Sequence, residues 1–244
     1  MDRYTDYDPF ADVYNRYWGS FATRVVPVLD RLVVDDLERG STVVDLCCGT
    51  GQLAAAFTER GFHCIGVDGS AAMIDLARAN APDAKFVMAD ARSFVLDEQA
   101  DVVVSTFDSL NHLMGLSDLE QVFRQVAAVL APSGVFVFDL NMEGGFHSRW
   151  RGSFGVVTDD EVVVARSGFD ADEAIGRMDF TLMTRDGDLW KRTDVTLTQR
   201  SYPEADVRSA LAAAGFDDVE VHDARDIDMD EVGRSFFRCR MAPT

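Results

Sequence analysis

The stretch VVDLCCGTGQLA, residues 43–54, constrains the fold more than any other part of the chain. An apolar run ends on an acid and two cysteines, and the chain then turns through Gly49-Thr50-Gly51. The residues that follow, Gln52 to Arg60, have helical character. A strand that passes through glycines straight into a helix is built to hold a polar ligand. Glycine lets ligand and backbone approach closely. The first helical turn offers N–H groups with no partner of their own.

The same alternation continues downstream. Thr42 to Leu46, Phe62 to Val67, Lys85 to Met88 and Val102 to Ser105 read as strands. Helices are predicted over Ser70 to Ala79, with Ser70 as N-cap, and over Leu116 to Leu130. Val135 to Leu140 is a strand after the turn signal Pro132-Ser133-Gly134. This rhythm predicts an α/β fold, a parallel sheet with helices on both faces. Upstream, residues 11–39 carry a helical face of Val25, Val28, Leu29 and Leu32, stopped by Gly40.

After residue 141 the pattern switches to antiparallel strands. Met178, Phe180 and Leu182 alternate with polar residues, and Asp186-Gly187 is a hairpin signal before Leu189 to Gln199. A helix over Glu204 to Ala214 ends at Gly215, and Val219 to Val221 and Ser235 to Met241 are the last strands. The expected organisation is an N-terminal helical cap (1–40), a core domain (41–141 and 202–244) and an antiparallel insertion (142–201). The insertion suits a lid, a homodimer contact or a structural second layer.

Gly49 to Ala54 also satisfies G-x-G-x-x-A, the fingerprint of dinucleotide-binding folds, and Asp68 ends the next strand, where an acid binds ribose hydroxyls. Asp45 separates the possibilities. A carboxylate at the strand tip repels a pyrophosphate and favours a cationic ligand.

With these motifs the chain resembles the class I S-adenosylmethionine-dependent methyltransferases over nearly its whole length. VVDLCCGTGQLA resembles their first motif, and GVDGSAAMIDLAR resembles the second strand with its ribose acid. FVMADARSF, DVVVSTFDSLNHL, LAPSGVFVFDLN and AAAGFDDVEV follow in the family's order. The resemblance implies a doubly wound, mostly parallel, seven-stranded Rossmann-like sheet whose last strand is reversed. It implies S-adenosylmethionine as cofactor, a ligand with a sulfonium and an ammonium but no phosphate. Asp45, Cys47, Gly49 and Gly51 would pass it, Asp68 would hold its ribose, and Met73, Asp90 and Ala91 would surround its adenine. Cys47 departs from the family, where many members have glycine.

The loop after Ser105 lies where such sheets bind ligands, and it carries Phe107, Asp108, Asn111 and His112. His112 is the candidate base, because an ordinary histidine titrates near neutrality. Phe107 belongs to the cofactor set, and Asp108 and Asn111 to the acceptor set. The segment YDPFADVYNRYWGSF resembles the start of small-molecule members, among them sugar N,N-dimethyltransferases, and the likeness extends to GRSFF near the end. It implies that Tyr14 closes over the methyl donor as a catalytic and cofactor residue, with Trp18 beside it. HSRWR, directly after strand five, places Arg149, Trp150 and Arg151 as contacts for an anionic or aromatic acceptor.

Charge and composition narrow the partners. The net charge of −19 argues against nucleic acid, which needs clustered Lys and Arg. No apolar run long enough to span a bilayer is present, so no membrane partner is expected. Cys47, Cys48, Cys64 and Cys239 form neither a metal spacing nor a disulfide framework, which fits free thiols in a cytoplasmic protein. Asp108, Asp139 and Asn141 do not match a metal-dependent pattern, so no metal is expected. The leading expectation is methyl transfer to N or O of a small molecule, within natural-product chemistry. The competing readings are a macromolecular acceptor, a cofactor-binding protein without catalysis, and a nicotinamide-dependent oxidoreductase.

Overall fold

The computed structural model describes residues 5–242. After a 3-10 turn at Thr5–Phe10 come α1 (Ala11–Tyr17) and α2 (Phe21–Leu32). The alternating section holds β1 (Thr42–Leu46), α3 (Gln52–Glu59), β2 (His63–Asp68), α4 (Ala71–Asn80), β3 (Lys85–Met88), β4 (Ala100–Ser105), α5 (Leu116–Val129) and β5 (Leu130–Asn141). α6 (Glu143–Arg149) leads into β6 (Gly152–Val157), β7 (Glu161–Asp170), β8 (Ile175–Asp186) and β9 (Leu189–Arg200). The chain closes with α7 (Glu204–Ala213), β10 (Phe216–Asp223) and β11 (Arg234–Met241).

The main sheet has seven strands in the order β10-β11-β5-β4-β1-β2-β3. β1 to β5 run parallel, and β11 is antiparallel to both its neighbours. β1 is apolar at Val43, Val44 and Leu46, on alternate sides, because both faces of the sheet are covered. Val44 and Leu46 face the layer of α5 and α7, with Phe123 and Leu211, while Val43 faces the layer of α2 and α3, with Leu29 and Phe57. That split follows from side chains alternating across a strand. The strand order reverses between β1 and β4, and their carboxyl ends open the crevice in which such sheets take ligands.

β6 to β9 form a separate four-stranded antiparallel sheet. Its inner face packs on the N-terminal segment: Phe10 and Val13 join Val163, Phe180 and Leu197 in a third apolar cluster. The insertion and the segment before α2 therefore roof the crevice together.

Several boundaries differ from expectation. The helical stretch 11–39 breaks into α1, α2 and a 3-10 turn at Val34–Asp36. β5 starts at Leu130, running through the Pro132-Ser133-Gly134 signal. The HSR of HSRWR closes a short helix, α6. Ser70 caps α4 as expected, its Oγ accepting from the Met73 N–H at 3.2 Å. No helix is long and apolar enough to cross a membrane among the described residues.

Candidate active site

The loop after β1 is wound left-handed at three positions, Cys47 (φ 61°), Gly49 (φ 52°) and Gly51 (φ 81°). Cys47 adopts a conformation that glycine takes freely and an L side chain only rarely, so a glycine would fit this position with less strain. Gly51 faces inward: a Cβ there would lie 2.9 Å from the Cα of Ala77, so its role is close packing of the loop on α4. A Cβ on Gly49 would touch the Tyr14 ring at 3.4 Å, so α1 lies directly over the loop.

Two acids flank the loop. Asp68 accepts from the backbone N–H of Gly49 (Oδ2, 2.9 Å) and of Ser70 (Oδ1, 2.9 Å). Burial raises its pKa, and these bonds oppose the rise. Asp45 is buried, and its Oδ2 has no hydrogen-bond partner among the described residues. Burial, with the Asp68 charge nearby, pushes its carboxyl up to about 7. A buried carboxylate oxygen without a donor is costly unless a ligand supplies one.

Three cavities meet here. One of about 530 Å³ is an apolar slot between Val67, Ala89, Ala91, Leu110 and Leu113, with Asp68 at its edge. Another, about 330 Å³, holds Asp45 with Cys47, Gln52 and Tyr14. The largest, about 920 Å³, runs under the inserted sheet between Phe10, Trp150 and Phe180. Cys47 lines the first two, His112 the first and largest, and Tyr14, Trp18 and Phe107 the last two. Of the expected cofactor residues, Tyr14, Trp18, Asp45, Cys47, Asp68, Ala91 and Phe107 line these cavities, and Gly49, Gly51, Met73 and Asp90 do not. The Asp90 carboxylate is clamped by Arg92 (Nη2, 2.7 Å; Nε, 3.0 Å). Burial would raise its pKa, but the Arg92 bonds outweigh it and hold Asp90 below the usual range. Met73 is buried on α4 and lines none of these three cavities.

His112 is fixed on both ring nitrogens. Nδ1 lies 2.9 Å from the carbonyl oxygen of Thr198, which can only accept, so Nδ1 carries the proton. Nε2 accepts from the Tyr7 hydroxyl at 2.8 Å and faces the Gln199 amide nitrogen at 3.2 Å. That amide nitrogen also donates to Asp108 Oδ2 at 2.6 Å, which settles its identity. This tautomer leaves Nε2 as the accepting nitrogen of a residue that lines both the apolar slot and the largest cavity.

Behind it lies a buried ion cluster. Arg234 donates to Asp108 Oδ1 (2.6 Å), to Asp139 Oδ2 and to Glu231 Oε2 (2.5 Å). Its guanidinium also lies over the Phe21 and Phe107 rings, at 5.1 and 5.8 Å. Burial opposes its charge, yet the three carboxylates keep it firmly protonated. Burial likewise opposes ionisation of Asp108, but Arg234 holds its pKa below the ordinary value. Among the described residues no group of three or more His, Cys, Asp and Glu is placed to hold a metal ion. Asp108 and Asp139 are bridged by a guanidinium instead.

The acceptor set needs correction. Asn111 is fully buried and its amide is consumed by backbone: Nδ2 donates to the carbonyls of Asn141 (3.0 Å) and Arg200 (2.7 Å), and Oδ1 accepts from the Asn141 N–H (2.8 Å). It ties the β4 loop to the ends of β5 and β9 and leaves no group for an acceptor. Asp108 lines the largest cavity but is committed to Arg234 and Gln199. Arg149 and Trp150 line that cavity, while Arg151 is exposed and lies outside its wall. Tyr7, Gln199, Glu231 and Arg234 went unmarked by residue-level reading. Tyr7 and Arg234 lie inside YDPFADVYNRYWGSF and GRSFF, so the signal was present as segments.

Residues 43–134 match the family model described as a methyltransferase domain. The chain is 29% identical over 179 residues to the putative methyltransferase YqeM of Bacillus subtilis, covering 71% of this chain and 72% of that protein. It is 31% identical over 133 residues to the dTDP-3-amino-3,4,6-trideoxy-alpha-D-glucopyranose N,N-dimethyltransferase of Streptomyces venezuelae, covering 53% of this chain but only 56% of that protein. The solved structure of Streptomyces venezuelae DesVI superposes with a TM-score of 0.79 at 26% identity, covering 96% of this chain and 98% of that one.

Proposed function

We propose that the chain is a class I S-adenosylmethionine-dependent methyltransferase, a reading its methyltransferase-domain match and its fold support, and that it transfers a methyl group to a nitrogen or oxygen of a small molecule held beneath the inserted sheet. The observation that carries this reading is the meeting of three cavities at Tyr14, Phe107 and His112.

The residues fit the cofactor. The partnerless Oδ2 of Asp45 suits its cationic end, the Val67–Ala89–Ala91 slot suits a flat aromatic base, and Asp68 borders the place for a ribose. When bound, the cofactor supplies a methyl group made electrophilic by positive sulfur. Everything else falls to the chain. Tyr14, Trp18 and Phe107 close the junction against water. The acceptor is aligned by the aromatic walls of the large cavity, and alignment alone is worth several kcal/mol. The proton that an amine or hydroxyl must lose passes through the Tyr7 hydroxyl, which gives its own proton to the single lone pair of His112 Nε2 that it already faces. Gln199 Oε1, buried and without a partner among the described residues, is positioned to accept from that N–H or O–H group. Asp108, linked to His112 through the Gln199 amide, favours the imidazolium that results. An amino-sugar acceptor, as named for the Streptomyces venezuelae relative, is one member of this class.

Calorimetric titration with S-adenosylmethionine, S-adenosylhomocysteine and NAD in parallel tests the reading. Micromolar binding of both adenosyl ligands and none of NAD is expected. Transfer of labelled methyl to a panel of amines, amino sugars and alcohols, lost in His112→Ala, completes it. Binding of NAD without the adenosyl ligands would overturn it.

A further inference from the structure

Arg149, at the end of α6, lines the largest cavity and is half-buried. Its guanidinium donates to Oδ1 of Asn141 (2.5 Å) and to the backbone carbonyl of Val232. Both partners are neutral, and it forms no ion pair among the described residues. Its neighbours differ. Arg24 pairs with Glu231 Oε1 at 2.9 Å, and Arg234 has three carboxylates. Glu231, the acid whose charge acts most on Arg149, is already shared between those two arginines. A chain with 42 Asp and Glu against 23 Lys and Arg has counter-ions in excess. Leaving a half-buried guanidinium with neutral partners, on the wall of a cavity, runs against the rule that buried charge is paired.

We propose that the methyl acceptor carries an anionic group, a carboxylate or a phosphate, and that Arg149 binds it in the cavity that ends at His112. This deepens the functional reading above and rests on it. Asn141 and Val232 hold the guanidinium in place, and its remaining N–H groups form a planar fork matched to two anionic oxygens. Trp150 and Phe180 wall the same space, so an aromatic or ring-bearing body fits between the anion and the reacting atom. Fixing the anion at Arg149 would hold the far end of the acceptor while its nucleophile faces His112.

The test uses the full chain, with and without saturating S-adenosylhomocysteine, titrated with benzoate, phenyl phosphate and the uncharged isostere benzamide. Tryptophan fluorescence reports binding, because Trp18 and Trp150 line the cavity. One of the two anions is expected to bind at least about tenfold more tightly than benzamide, the low end for a charge-assisted contact. Which anion wins distinguishes carboxylate from phosphate. Arg149→Gln should abolish the preference while leaving benzamide and S-adenosylhomocysteine binding unchanged, and Arg149→Lys should retain part of it. Equal binding of anions and amide, no binding of either anion, or a preference that survives in Arg149→Gln would overturn the proposal. Failure of S-adenosylhomocysteine to bind would count against the cofactor reading alone, since the anion preference is also measured without it.

Discussion

The hydroxyl of Tyr7 donates to Nε2 of His112 at 2.8 Å, joining residues 105 apart in sequence. The rings meet edge-on with centroids 5.4 Å apart. With Nδ1 locked to the Thr198 carbonyl, Tyr7 sets both the orientation and the accepting character of the other nitrogen. Tyr7→Phe keeps the ring and removes only the hydroxyl. It is expected to lower kcat by about 10- to 100-fold with KM little changed, against about 10²- to 10⁴-fold for His112→Ala. In the His112→Ala background Tyr7→Phe should add nothing. Steady-state kinetics of the four proteins checks this, and equal losses in both backgrounds would show that Tyr7 acts elsewhere.

Asp45 links cofactor binding to pH. Its carboxyl is raised to about 7 by burial and by Asp68, whereas an unfolded aspartate titrates near 3.9. The folded chain therefore binds more protons than the unfolded chain between those values, and this residue makes stability fall as pH rises through that window. Asp45→Asn should stabilise the unliganded protein above about pH 7, by about 1–3 kcal/mol. It should also weaken S-adenosylmethionine binding at least tenfold. In the parent protein, affinity for that cation should rise as pH passes upward through about 7, and the rise should vanish in Asp45→Asn. Urea melts and calorimetry across pH read both effects.

Arg234 holds Asp108, Asp139 and Glu231 together in the core. Removing one member of a buried ion network strands the others, at a cost of about 3–5 kcal/mol. Arg234→Ala is expected to lower the unfolding free energy by that amount, read as a fall in the urea midpoint. Arg192→Ala, which breaks an exposed pair with Asp194, should leave the midpoint in place. Similar midpoints for the two variants would contradict the role of the cluster.

Two glycines with nearly the same backbone separate strain from crowding. Gly40 (φ +89°) has open space where a Cβ would point, and Gly51 (φ +81°) has the Ala77 backbone there. Gly40→Ala should cost about 1–2 kcal/mol, the left-handed penalty alone. Gly51→Ala should cost clearly more and should also impair cofactor binding, because the loop must shift off α4. Thermal melts of the pair decide it.

The amino-acid sequence by itself determined the frame. The β1 run, the glycine turn and the α3 start follow from local periodicity and backbone permissiveness, and so do the places of Asp45 and Asp68 at strand ends. Hairpin chemistry at Asp186-Gly187 and alternation in β8 likewise marked the inserted sheet. Only the tertiary structure decided which side chains meet. Asn111 looked available in its loop, yet burial between β5 and β9 commits every polar atom it has to backbone. Gln199 comes from a strand with no local motif for chemistry, and Arg234 from a segment, GRSFF, whose likeness did not say which residue acts. They reach His112 and Asp108 because the insertion folds back over the crevice and the reversed last strand pairs with β5. Local pattern reports the face a residue occupies over a few positions. Contacts across 87 or 126 residues depend on how elements dock, and no short window of sequence carries that information.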